Sequence, residues 1–153
     1  MGIATLAHTE LYCPNLEESL QHFRDTMGMY VRHEEEDAYY LAAFGDWQDY
    51  TLIIREGDDW GCKHVAWMLE DEDDFEEFQA RIEDSGYDTE WIDESDEPGQ
   101  GATLRFDYPG ATPEYMELVY DIDRAFDTVE DKNKARLKNQ PTRKPERGAG
   151  LRR

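Results

Sequence analysis

A chain of 153 residues, 39% hydrophobic and 12% aromatic, is long enough to bury one domain's core and too rich in rings for general disorder. It has no apolar run of the roughly 18 residues that would mark a membrane helix, no leader-like pattern in MGIATLAHTE, and with only Cys13 and Cys62 no disulfide framework. Residues 1–130 hold 7 Lys+Arg against 35 Asp+Glu, a net charge of −28 that repels nucleic acid and anionic membranes.

Within those 130 residues Lys63 is the one lysine, and the acids are spread along the chain rather than gathered in one run. That pattern predicts a hydrated surface on a cytoplasmic, halophilic protein. Residues 131–153 reverse the sign, with 9 Lys+Arg and 2 Asp+Glu.

Ile3–Tyr12 is the first predicted strand. A helix follows, with Asn15 as N-cap, Leu16, Leu20, Phe23 and Met27 on one face, and Gly28 as stop. Short strands are predicted at 29–34, 38–44 and 50–56. The pattern then restarts: CKHVAWMLE is a strand, and DDFEEFQARIEDSG is a helix burying Phe75, Phe78 and Ile82. Three more strands are predicted at 87–93, 102–107 and 115–121. Each half is therefore βαβββ, a divergent duplication with modules at about 1–58 and 59–121. The expected fold class is α+β, with both modules forming one curved, partly closed mixed sheet around a central cavity. Residues 122–153 are expected as a basic linker or tail, its first part helical by pattern, its end punctuated by Pro and Gly.

Three strands each carry one metal-ligand type of residue in a semi-apolar face. By strand parity His8 shares a face with Leu6 and Glu10, His64 with Cys62, Ala66 and Met68, and Glu117 with Tyr115 and Val119. If all three faces line the cavity, two imidazoles and a carboxylate converge. That is the facial triad that holds non-haem Fe(II) with positions left open. A histidine hydrogen-bonded in a core is the competing account of His64 taken alone. Glu117 is harder to explain so, because an ionised carboxylate in a core is costly without a partner. His22 and His33 are expected at the surface. The Gly99-Gln100-Gly101 stretch is expected as a turn, not a phosphate cradle.

LAHTELYCPNLEESLQHFRDTMGM, DYTLIIREG, CKHVAW and GQGATLRFDYPG…ELVYD resemble the vicinal-oxygen-chelate proteins, which include glyoxalase I, bleomycin-resistance proteins and extradiol dioxygenases. The resemblance is closest to the N-terminal domain and linker of a catechol 2,3-dioxygenase. It implies a metal held by His8, His64 and Glu117, either Fe(II) or Mn(II), and a small aromatic diol as substrate. It also implies a second catalytic domain or another subunit, and a homo-oligomer. Active domains of the family carry a further histidine where this chain has Asp49 or Tyr50, and a tyrosine where it has Arg105. Tyr50 and Tyr115 are the candidates to replace the missing proton-handling group, with Tyr108 a third. Two other functions compete. One is a non-catalytic scaffold of the same fold. The other is a glyoxalase-like or bleomycin-resistance-like small-molecule protein, for which Glu10 would be the nearby acid.

Overall fold

The computed structural model describes residues 2–125. Its first half runs β1 (Ile3–Cys13), α1 (Leu16–Gln21), β2 (Tyr30–Glu34), β3 (Ala38–Ala42) and β4 (Leu52–Glu56). The second repeats the order with β5 (Gly61–Leu69), α2 (Asp74–Asp84), β6 (Thr89–Ile92), β7 (Thr103–Asp107) and β8 (Tyr115–Val119). The eight strands form one open mixed sheet in the order β2-β3-β4-β1-β5-β8-β7-β6. β1–β4 and β5–β8 are parallel; the other neighbours are antiparallel. The α+β class and the duplicated βαβββ pattern are both as the sequence implies.

β1 and β5 lie side by side at the centre, where His8 faces Ala66 and Glu10 faces His64. Exchanging the two halves therefore carries His8 onto His64 and Glu10 onto Ala66. Along β8, Tyr115 lies level with His64, and Glu117 with Ala66. One row across the sheet is thus His8, Ala66, Glu117 and, on β7, Arg105. Its counterpart is His64, Glu10, Ile53 on β4 and Tyr40 on β3.

Simple parity fails along β1, whose pairing with β5 shifts register between Ile3 and Thr5, between Leu6 and His8, and between Glu10 and Leu11. A register shift between Leu6 and His8 inserts Ala7 as an extra residue, so Leu6 is 45% exposed while Ala7, His8 and Glu10 are buried. Leu6 therefore does not share the face of His8. The shift occurs at the start of the site and re-aims the histidine.

Asn15 caps α1, its side chain accepting from the Glu18 N–H. The helix then widens into a π-helical turn at His22–Thr26, where the Met27 N–H reaches back five residues to the His22 carbonyl. Met27 is the residue at which the chain leaves the helix and is 59% exposed, contrary to the helical spacing. Gly28, at φ 77°, turns the chain, and Met29 packs with Phe23 instead, against Cys13, Leu20, Leu41 and Ile54. In the second half Phe75, Phe78 and Ile82 of α2 cover Leu69, Leu104 and Leu118 as expected.

Residues 121–123 run back along the site's outer loop: Gly101 N–H donates to Asp121, Asp123 N–H to Gly99, and Ile122 is buried beside Ala7, Ala66 and Val119. The rest of the expected basic tail, 126–153, lies outside the described residues. Among the described residues no helix is long and apolar enough to cross a membrane.

Candidate metal centre

The three strand residues meet. His8, on β1, and His64, on β5, are fully buried, and their Nε2 atoms lie 2.8 Å apart. Glu117, on β8, is 2% exposed, with Oε2 3.7 Å from His64 Nε2. The row geometry explains the convergence: Ala66, paired with His8 on one side and Glu117 on the other, adds only a methyl group between them.

A fourth group enters from the β6–β7 loop. Glu97 places Oε2 2.9 Å from His8 Nε2 and Oε1 3.1 Å from His64 Nε2, straddling the imidazoles. One ligand atom from each of His8, His64, Glu97 and Glu117 lies within 4.8 Å of the others, a group able to hold a metal ion. Sequence reasoning missed Glu97. It is one of four acids in the segment DESDE, with no periodicity to distinguish it, and only the folded loop selects it. That loop is fixed by the Glu97 N–H to Ser95 Oγ, by Gln100 to Ser95 and Thr103, and by the strand-like contacts to 121–123.

A second layer orients the donors. Glu10 is fully buried, with Oε2 3.0 Å from His64 Nδ1 and 2.9 Å from Lys63 Nζ, while Arg55 donates to its Oε1. A carboxylate on the far nitrogen turns the other nitrogen inward as a donor, an arrangement typical of metal-bound imidazoles. Arg105 donates from Nε and Nη2, at 3.1 and 2.8 Å, to Glu117 Oε1. The other oxygen, Oε2, is buried without a hydrogen-bond partner among the described residues. An unpartnered carboxylate oxygen costs free energy unless a cation meets it. The donor set of two imidazole nitrogens and carboxylate oxygens fits a divalent transition metal.

Electrostatics agree. Burial alone would keep His64 neutral, but the carboxylates of Glu10 and Glu97 hold its proton and push its pKa up to about 9. Burial likewise opposes ionisation of Glu97, yet hydrogen bonds from His64 and His8 hold it well below the usual carboxylate range. Glu10 is lowered to about 2: burial is outweighed by His64, Arg55 and Lys63. A proton on His64 and a cation would compete for the same carboxylates, so metal uptake would release protons.

The two tyrosine candidates separate. Tyr115 stacks on His64 at 5.3 Å and 12°, under the Arg105 guanidinium, and lines a cavity. Tyr50 is fully buried, its hydroxyl donating to Glu97 Oε2 at 3.4 Å. Burial first, then the charge of Glu97, raises the Tyr50 pKa far above its ordinary value. Burial also raises Tyr115, despite Arg105. Asp49 is bound by Arg32 and, at 2.6 Å, by His33. His33, at the surface as expected with its side chain 39% exposed, is the partner of Asp49 and lies against the rings of Tyr40 and Tyr50. His22 is exposed.

Comparison with known proteins adds a consistent picture. The family described as catechol 2,3-dioxygenase-like N-terminal domain matches residues 62–119. The manganese-dependent 2,3-dihydroxybiphenyl 1,2-dioxygenase of Geobacillus genomosp. 3 is 34% identical over 137 residues, 90% of this chain and 42% of that protein. Metapyrocatechase of Geobacillus stearothermophilus is 32% identical over 151 residues, covering 99% and 44%. The chain thus spans less than half the length of these relatives. Homoprotocatechuate 2,3-dioxygenase of Brevibacterium fuscum shares the fold, with a TM-score of 0.74 and 23% identity over 81% of this chain and 34% of that one.

Proposed function

We propose, from the premise that this chain belongs to the extradiol dioxygenase family of vicinal-oxygen-chelate proteins, that it is the metal-dependent N-terminal domain of a catechol-cleaving enzyme. The observation that carries the reading is the meeting of His8, His64 and Glu117 from three separate strands. These residues would hold Fe(II) or Mn(II), the latter being the metal in one relative's name. When bound, such an ion supplies a Lewis acid that gathers the two oxygens of an aromatic diol. The chain's own residues do the rest: Glu10 orients His64, Arg105 holds Glu117, and Tyr115 forms an aromatic wall where the cavity meets the site.

The test is metal content after anaerobic loading with Fe(II) or Mn(II), compared with a His64→Ala variant. About one ion per chain, lost in the variant, is expected for a single two-histidine site. Metal in neither protein overturns the assignment.

A second reading is a scaffold domain that packs against a catalytic domain or another subunit, in a homo-oligomer. Its support is the zero exposure of both imidazoles and the engagement of Asp49 and Tyr50, one of which stands where active domains of the family carry a proton-handling histidine, by His33 and by Glu97. Catechol cleavage by the metal-loaded chain, followed by the absorbance of the ring-opened product, separates the two readings.

A further inference from the structure

The site contains one carboxylate too many for an open triad. A cavity of 510 Å³ lies against it, lined by Tyr115, Arg105, Arg55, Lys63 and Glu97 among others, but by neither imidazole. Both histidine side chains are wholly buried, whereas Glu97 keeps 13% exposure. A molecule entering the cavity therefore meets Glu97 before it meets His8 or His64. The loop that delivers Glu97 is held at both ends, by Ser95 and Gln100 on one side and by the 121–123 segment on the other, so the carboxylate is built into the site. Tyr50 adds a hydrogen bond from below.

Resting on the assignment of His8, His64 and Glu117 as ligands, we propose that Glu97 is a fourth protein donor that closes the centre. A six-coordinate divalent ion with three protein donors keeps about three open positions, and with four it keeps about two. A diol chelating through both oxygens fills two. O₂ then has no position of its own. The centre retains its ion and admits a diol or O₂ but not both, so ring cleavage at this domain requires the Glu97 carboxylate to be absent from the ion.

Mn(II) tests this directly, because its bound exchangeable waters are counted by water-proton relaxation. The chain, Glu97→Ala, Glu97→Gln and His64→Ala are titrated with Mn(II), and affinity and relaxivity are read together. The expected result is one ion in the unaltered chain, with relaxivity in Glu97→Ala higher by about 1.5-fold as a third water enters. Affinity in Glu97→Ala falls at least ~10-fold. Glu97→Gln, which keeps the shape of the loop, moves both quantities in the same direction and covers the case of a misfolded alanine variant. Unchanged relaxivity and affinity in both Glu97 variants, with the ion lost in His64→Ala, overturn the role of Glu97 and leave the triad standing. Tighter binding in Glu97→Ala also overturns it, by making the carboxylate an obstruction. No ion in the unaltered chain, or full retention in His64→Ala, overturns the triad assignment itself.

Discussion

Glu10 and Glu117 are buried carboxylates, and each is answered by an arginine, Arg55 and Arg105. Desolvating such ions costs several kcal/mol each, so they are kept only where geometry and hydrogen bonds repay it. The two-fold relation shows how the pairs arose in different places. Glu10 occupies in one row the position that Ala66 occupies in the other, and Glu117 stands where its counterpart row has Ile53. Strand parity made His8, His64 and Glu117 legible, because a period of two and a lone polar residue are both visible in one sequence. Glu97 was not legible, because a loop acid among 37 acids has no pattern. Asp49 offers a test outside the centre. Burial would raise its pKa, but hydrogen bonds from His33 and Arg32 hold it below the usual carboxylate value. A depressed carboxylate stabilises the fold fully above its unfolded pKa and loses that contribution as pH falls through its folded pKa. Asp49→Asn should therefore lower stability by about 1 kcal/mol at neutral pH, a modest figure because both partners are over a third exposed and screened by water. Urea unfolding across pH should show the variant and the parent converging in acid; a pH-independent difference would contradict the ionic origin.

At the scale of elements, the restart of the βαβββ pattern predicted the strand count, the face of α2, that of α1 apart from Met27, and both glycine stops. Gly28 and Gly86 adopt φ 77° and 87°, as helix-ending glycines do. The strand register shifts, among them the extra residue at Ala7 in β1, and the π-helical turn after α1 were hidden because they are insertions within an element. Neither changes composition, and both shift which side chain lands inside. The β1–β5 pair carries the site, and Ala66 is fully buried in it, paired with His8 and Glu117. Ala66→Leu should cost about 1–3 kcal/mol in thermal or urea unfolding, since the added carbons must displace the donor atoms or the packed side chains of Ala7, Val119 and Ile122. The same variant should lose metal. Retention of both stability and metal would show that the space above Ala66 is not the site.

For the whole molecule, charge and function divide the surface between them. Of the seven Lys and Arg in residues 1–130, three (Arg55, Lys63 and Arg105) line the cavity beside the site, where they face Glu35, Glu90, Asp96 and Glu97. A net charge of −21 repels itself at low ionic strength. Raising KCl from 0.1 to 2 M shortens the Debye length from about 10 Å to a few ångströms. The melting temperature should therefore rise by several degrees, and a flat or falling curve would remove the salt-adapted account of the composition. The two halves share more than a sheet. Because the Nε2 atoms of His8 and His64 lie 2.8 Å apart, the axis relating the modules passes through the centre itself. A feature on such an axis is single by construction, so the duplication yields one centre per pair of modules and not one in each. Neither module owns it whole: severed between Gly57 and Gly61, the first would leave with His8 alone and the second with His64, Glu97 and Glu117, so the complete donor set exists only where the repeats are joined.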